Sequence, residues 1–237
     1  MKDLTHYGLL AEMFRYPSDD LKNYQGKWNE IISRYDDSLR PGLDRFTAHI
    51  REKPLSFQQE YYISTFDVQA MCFLDIGYVL YGEDYRRGIF LVNIKKEQIK
   101  ANNDCGSELP DHLPNILTLL PKIAEPDLAE ELIYSMLIPA INRMIQAFRE
   151  VSNLYRGLLE VLAGIMETDF PCSAFERFTF KGQEKSENTA MSEMPGTSGM
   201  PESMGMSGTS EMCGNAAMSG MPGNPATGIP EPGKCKL

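Results

Sequence analysis

Apolar residues recur at intervals of three and four positions from the amino terminus of this chain to Ile165. That spacing places them on one side of successive α-helices. Alternation with a period of two, which would predict strands, is confined to the short segment 175–180 and is undecided there. Because proline- and glycine-containing breaks separate the repeats, the pattern predicts an all-α, single-domain bundle of about eight or nine helices.

The central stretch, residues 64–120, organises the rest of the chain. Its first repeat predicts a helix over residues 66–80, followed by a turn at residues 81–84. Because Gly77 is small, a neighbouring element could approach this helix closely there. A glycine inside a helix costs about 1 kcal/mol of stability relative to alanine. The predicted apolar stripe of the helix consists of Phe66, Ala70, Phe73, Gly77 and Leu80.

A second helix is predicted over residues 85–99, with an apolar side that we expect to face the core. That side consists of Tyr85, Ile89, Val92 and Ile99. The basic residues of the segment should form its solvated side. They are Arg86, Arg87, Lys95, Lys96 and Lys100.

The polar loop after this helix ends in the segment Leu109-Pro110-Asp111-His112-Leu113-Pro114. Asp111 is a plausible N-cap for a new helix, in which Pro114 is tolerated within the first turn. His112 would then lie at the helix N-terminus, where the positive end of the helix dipole favours the neutral imidazole. This loop is the one place where the sequence itself points toward a function.

Towards the carboxyl end, a long helical repeat is interrupted at Pro139, where we expect a kink or a short break. The last repeat, from Leu154 to Ile165, predicts a regular helix. After Gly182 the chain is rich in Met, Gly, Ser and Pro, and it could not bury enough apolar area to offset its chain entropy. We therefore predict a helical domain over residues 1–181 and a disordered tail over residues 182–237.

Charge and composition narrow the class of protein. The net charge of -10 over 237 residues argues against a nucleic-acid partner, since neutralising phosphates requires clustered cations. No apolar run approaches the roughly 18 residues needed to span a bilayer, so membrane insertion is not expected. The amino terminus lacks the pattern of an export signal, which favours a cytoplasmic location. Five widely separated cysteines without paired spacing argue against a disulfide scaffold or a zinc site.

No common catalytic or cofactor-binding motif stands out in the sequence. The three histidines have no partner at metal-ligand spacing, and there is no phosphate-binding loop, dinucleotide turn or nucleophile elbow. Asp111 and His112 could form an acid–base pair with a distant third group, although a capping Asp beside a helix-start His is commonly structural. We expect neither an enzyme nor a bound cofactor.

Several separated segments, in order along the chain, resemble one protein family. They are residues 7–21, Thr65-Phe66-Asp67, residues 81–88 and residues 108–114. Together they look like the nitrate reductase delta-subunit family, the NarJ-type members of the all-helical molybdoenzyme assembly chaperones, which are related to the TorD-type chaperones. The resemblance implies a system-specific cytoplasmic chaperone that binds the catalytic (alpha) subunit of a respiratory molybdoenzyme through its amino-terminal peptide. Such a chaperone holds its client, a nitrate reductase or a related enzyme such as nitrite oxidoreductase, for insertion of the molybdenum cofactor and an iron–sulfur cluster.

The resemblance also implies where the partner binds. Asp67, Asp111 and His112 match family motif positions, and Glu108 is a weaker candidate. An amphipathic peptide could lay apolar side chains in a groove between helices, with Tyr62 and Phe66 in its wall, while acidic residues attract its Lys or Arg. Burial in the core is the ordinary alternative for those aromatic residues.

Two other classes of function remain open at the level of sequence. One is a metal or cofactor carrier that uses the Met- and Cys-rich tail, because thioethers and thiols are soft ligands. The other is a small helical hydrolase that depends on His112. The oligomeric state, a monomer or a weak homodimer, is also open.

Overall fold

The computed structural model describes residues 2–68 and 70–180, and the predicted tail lies outside them. Within these residues the chain is all-α, as predicted, and its one β-type pairing is an isolated bridge between Asp75 and His112. A π-helical segment joins α8 to α9, so the ten α-helical segments make nine separate helices. The segments are α1 (Thr5–Leu10), α2 (Gln25–Ile32), α3 (Arg40–Glu52), α4 (Leu55–Phe66), α5 (Ile76–Tyr81), α6 (Tyr85–Lys100), α7 (Leu113–Leu119), α8 (Pro126–Glu131), α9 (Ile138–Ala147) and α10 (Leu154–Asp169).

Helix α10 forms the centre of the core, where it packs against both α3 and α9. It begins with a side-chain cap, because the Asn153 side chain accepts hydrogen bonds from the backbone N–H groups of the first turn. The approach of α3 requires glycine: a Cβ on Gly42 would lie 2.7 Å from the side chain of Val161. Trp28 is fully buried, and its indole N–H donates to the carbonyl of Leu9.

The long helix that runs from α8 through α9 contains a π-helical segment at Leu132–Leu137, just before Pro139. Proline has no N–H, so the carbonyl of Ser135, four residues earlier, loses its ordinary helical partner. The backbone N–H of Phe178 donates to that carbonyl over 2.9 Å. The irregularity expected at Pro139 is therefore absorbed without a break, and the freed carbonyl holds the non-helical segment that follows α10.

The prediction of one helix over residues 66–80 is wrong. Helix α4 ends at Phe66 and α5 begins at Ile76. Between them, residues 71–74 alternate between exposed and buried side chains: Cys72 and Leu74 point inward, while Met71 and Phe73 are more than two-fifths exposed. Phe66, Phe73 and Leu80 have helical spacing, but the described residues between the two helices form a turn at 67–68 and a bend at 71–72 in place of a helix.

Helix α6 forms where predicted, but the prediction of its buried side is wrong. The face that packs on the protein carries Phe90, Ile94 and Gln98. The stripe expected to be buried faces solvent, because α6 has apolar residues on two sides and packs mainly on α5 alone. In the described part of the chain, no helix has the length and apolar character needed to cross a bilayer.

Candidate functional site

A groove with a volume of about 720 Å³ opens between α4, the segment after it, and the loop that leads into α7. We call it the acidic groove. Five of the six residues proposed from the sequence line it: Tyr62, Phe66, Asp67, Glu108 and His112. Its other lining residues are Arg15, Tyr16, Ile63, Phe73, Leu74, Asp75 and Pro114.

Two short backbone segments form the floor of the groove. The N–H of Ile76 donates to the carbonyl of Asp111 over 3.0 Å, and the N–H of Leu113 donates to the carbonyl of Leu74 over 2.8 Å. These bonds give the antiparallel bridge at Asp75 and His112. One backbone pairing therefore fixes the start of α5 beside the start of α7.

Asp111, the sixth predicted residue, does not line the groove and is fully buried. Its expected role as N-cap of α7 is wrong, because that position is occupied by His112, which makes no side-chain capping bond. The carboxylate of Asp111 instead accepts the N–H of Gly77, at 2.8 Å, and so pairs an otherwise unsatisfied donor in the first turn of α5. Burial raises the pKa of Asp111, the nearby Asp75 carboxylate acts in the same direction, and the bond from Gly77 opposes both.

His112 and Asp75 form the polar centre of the floor. The Nδ1 atom of His112 lies 3.2 Å from a carboxylate oxygen of Asp75, and the guanidinium of Arg87 lies 4.0 Å from the other oxygen. The carboxylate beside the imidazole thus belongs to Asp75 and not to the adjacent Asp111. The acid–base pair of Asp111 and His112 that the hydrolase alternative uses is not formed in this arrangement.

Aromatic rings form one wall of the groove. The Tyr62 hydroxyl donates to the carbonyl of Phe14 over 3.1 Å, which fixes the ring, and the ring packs edge-on against Tyr16 and Phe66. Tyr62 and Phe66 are each more than nine-tenths buried, so they serve the core and the groove together. Tyr16 and Phe73 are the half-exposed rings that a ligand would meet first.

The charge around the groove is negative. Asp67, Asp75 and Glu108 contribute three carboxylates, of which, among the described residues, only Asp75 lies beside a cation outside the lining, Arg87. The one arginine in the lining, Arg15, is paired with Glu12 at 2.9 Å. Burial, together with the negative charge of Glu108, raises the pKa of Tyr62 above its ordinary value. Such a groove favours a ligand that carries Lys or Arg beside apolar groups.

Sequence reasoning missed Asp75 and Arg15. Asp75 lies inside the long helix that the sequence predicts over residues 66–80, where it would be an ordinary surface residue. Residues 71–74 are a continuous apolar run in the sequence, so the one local signal is an acidic residue directly before Ile76-Gly77, at a position that suits a helix N-cap. Arg15 has no local signal, because only the fold brings it to Tyr62.

Across residues 2–68 and 70–180, no group of three or more His, Cys, Asp or Glu side chains is arranged to hold a metal ion. The methionines of the carrier alternative lie outside the described residues. A separate cavity of about 410 Å³ lies beside Leu4, Leu120 and Phe170, and it contains none of the residues predicted from the sequence.

No protein-family model matches this chain. No curated protein matches it either. Among solved structures, the chain is similar to a crystal structure described as "a putative redox enzyme maturation protein from Archaeoglobus fulgidus", with a TM-score of 0.49 and 19% sequence identity over 70% of this chain and 95% of that one.

Proposed function

We propose that this chain is a non-enzymatic assembly chaperone for a respiratory molybdoenzyme, a nitrate reductase or a related enzyme such as nitrite oxidoreductase. In this proposal the acidic groove binds the amino-terminal peptide of the catalytic subunit and holds the subunit for insertion of the molybdenum cofactor and an iron–sulfur cluster. The proposal rests on the sequence segments that resemble the NarJ-type family. The observation that carries it is that five residues chosen from the sequence line one groove.

The shape and chemistry of the groove suit an amphipathic peptide. Its volume of about 720 Å³ accommodates a few side chains of a peptide and not a folded protein surface. Apolar side chains would pack against Tyr16 and Phe73, which are half-exposed. A Lys or Arg on the same peptide would lie beside Asp67 or Glu108, whose exposed carboxylates have low desolvation cost.

The test uses the full chain and synthetic peptides that cover about the first thirty residues of the catalytic subunit of each respiratory molybdoenzyme of this kind in the same organism, with binding measured by calorimetry. We expect binding that weakens with added salt. The double variant Asp67→Asn, Glu108→Gln should weaken it about tenfold, because each exposed ion pair contributes up to about 1 kcal/mol. Both residues are exposed, so the fold should survive the change.

A double variant with the same change in charge, Asp20→Asn with Glu176→Gln, is the matched control, since both residues are exposed and outside the groove lining. It should bind the peptide as the unmodified chain does. If both double variants weakened peptide binding equally, the effect would come from net charge alone, and the assignment of the groove as the binding site would be overturned. The proposal also fails if none of the peptides gives a binding signal at millimolar concentration.

A further inference from the structure

Helix α6 presents an apolar stripe to solvent along its whole length. The exposed fractions are 77% for Tyr85, 52% for Ile89, 55% for Val92 and 68% for Ile99. The positions are separated by four, three and seven residues, so the four side chains lie in one row on the helix surface. We call this row the α6 stripe.

Lysine residues accompany the stripe. Lys96 lies four residues after Val92 and three before Ile99, so it falls within the row itself, and Lys95 and Lys100 lie at its two edges. All three are exposed, and the described residues offer no ion pair to Lys95 or Lys96. The solvent face of α6 is therefore apolar and cationic on a chain whose net charge is -10.

The α6 stripe, with its lysines, is poorly suited to a protein–protein interface from which water is excluded. Packing another helix along the α6 stripe would bury the ammonium of Lys96 among apolar groups, which is costly without a paired carboxylate. A second copy of the chain, packed on the same face, would bring the lysines of both copies together. Four side chains per copy also supply less area than a stable dimer interface needs.

We infer that the α6 stripe binds an anionic lipid surface. A helix with an apolar row bordered by lysines lies in the plane of the membrane interface with its apolar side below the headgroups. A lysine within the row is tolerated there, since its alkyl chain stays in the apolar layer and its ammonium reaches the lipid phosphates. Tyr85 carries an aromatic ring with a polar tip, which suits the same depth.

The acidic character of the rest of the chain determines when α6 can bind an anionic membrane. At physiological ionic strength, charges more than about 8 Å from the lipid surface are largely screened, so the lysines of α6 act locally. The net charge of -10 still opposes approach to an anionic bilayer. Binding therefore needs both the apolar contact and the lysines, and it should be absent on neutral lipids.

The experiment is vesicle flotation with the full chain, with phosphatidylcholine vesicles compared with vesicles in which roughly one third of the lipid is phosphatidylglycerol. We expect flotation with the anionic vesicles alone. Lys95→Gln with Lys96→Gln should weaken binding about tenfold or more, because each lysine near the surface contributes about 1 kcal/mol. Ile89→Gln with Val92→Gln should weaken it about tenfold through lost apolar burial.

Two matched controls use residues that are as exposed but lie away from α6. Val151→Gln changes an apolar side chain that is 68% exposed, and Lys22→Gln with Lys27→Gln removes two exposed cations. Both should float as the unmodified chain does. The inference is overturned if the unmodified chain fails to float, if it floats equally with neutral vesicles, or if the control lysines matter as much as Lys95 and Lys96. It is also overturned if sedimentation shows a dimer that the Ile89 and Val92 changes abolish, since the stripe would then join two copies.

Discussion

Gly77 occupies the tightest position at the floor of the acidic groove, and replacing it with alanine tests that part of the structure. A Cβ at this position would lie 2.7 Å from the carboxylate of Asp111 and 3.0 Å from the ring of Phe90. Both neighbours are buried and cannot move into solvent. Gly77→Ala must therefore displace the carboxylate that pairs the N–H of residue 77, or shift α5 away from α6.

The magnitude follows from three contributions. Weakening a buried hydrogen bond to a charged group costs about 1.5–3 kcal/mol, and overpacking a rigid site costs about 1–3 kcal/mol. Alanine regains about 1 kcal/mol of helix propensity over glycine. We expect Gly77→Ala to lower the free energy of unfolding by about 2–4 kcal/mol, measured by urea denaturation followed by circular dichroism.

Gly88 in α6 provides the control, because a Cβ there meets nothing within 4 Å. Gly88→Ala should raise the free energy of unfolding by about 0.5–1 kcal/mol, the propensity gain alone. In an Asp111→Ala background, Gly77→Ala should cost less, since the nearest clash is gone and the two sites are coupled. If Gly77→Ala behaves like Gly88→Ala, or if its effect adds to that of Asp111→Ala, the contact between Gly77 and Asp111 is refuted.

Two further predictions concern pH. Because the pKa of Asp111 is raised in the folded state, its favourable contribution is complete below the ordinary carboxyl pKa of about 3.9 and is lost as pH rises through the folded value. Between about pH 3.5, just below that ordinary pKa, and about pH 7, the free energy of unfolding of the unmodified chain should fall relative to that of Asp111→Asn. Parallel curves for the two proteins would contradict the burial of the carboxyl. At Asp169, burial alone would raise the pKa, but hydrogen bonds from His6 and Tyr7 lower it. Asp169→Asn should lower the free energy of unfolding by about 1–3 kcal/mol at neutral pH. This difference between the variant and the unmodified chain should shrink as pH falls below about 3.9, and a constant difference would contradict the hydrogen bonds of His6 and Tyr7 to Asp169.

Local sequence patterns correctly predicted the helices whose formation depends mainly on neighbouring residues. The repeat from Leu154 to Ile165 predicted α10, and Pro114 with the apolar run after it predicted a helix at α7, which begins at Leu113 directly after His112. Both depend on periodicity and on the backbone limits of proline, which need only neighbouring residues. The all-α class follows from the same information.

Two of the incorrect predictions share a physical cause, because each depends on a partner distant in sequence. Asp111 caps a helix that begins 35 residues earlier, and no local pattern shows that its carboxylate reaches Gly77. Helix α6 has apolar residues on two sides, and only the position of α5 decides that Phe90 is buried and Val92 is not. The site residues were found as a set because the resemblance drew on segments that the fold brings together.

The bridge that joins the segment before α5 to the segment before α7 has a consequence for ligand binding. Separating Asp75 from His112 would break two backbone hydrogen bonds and expose the buried carboxyl of Asp111, so the base of the groove is preorganised before any ligand arrives. Binding of a ligand there would therefore cost the protein little conformational entropy. Any ligand of the groove would therefore meet a rigid floor, and only the half-exposed rings of Tyr16 and Phe73 have room to adjust to it.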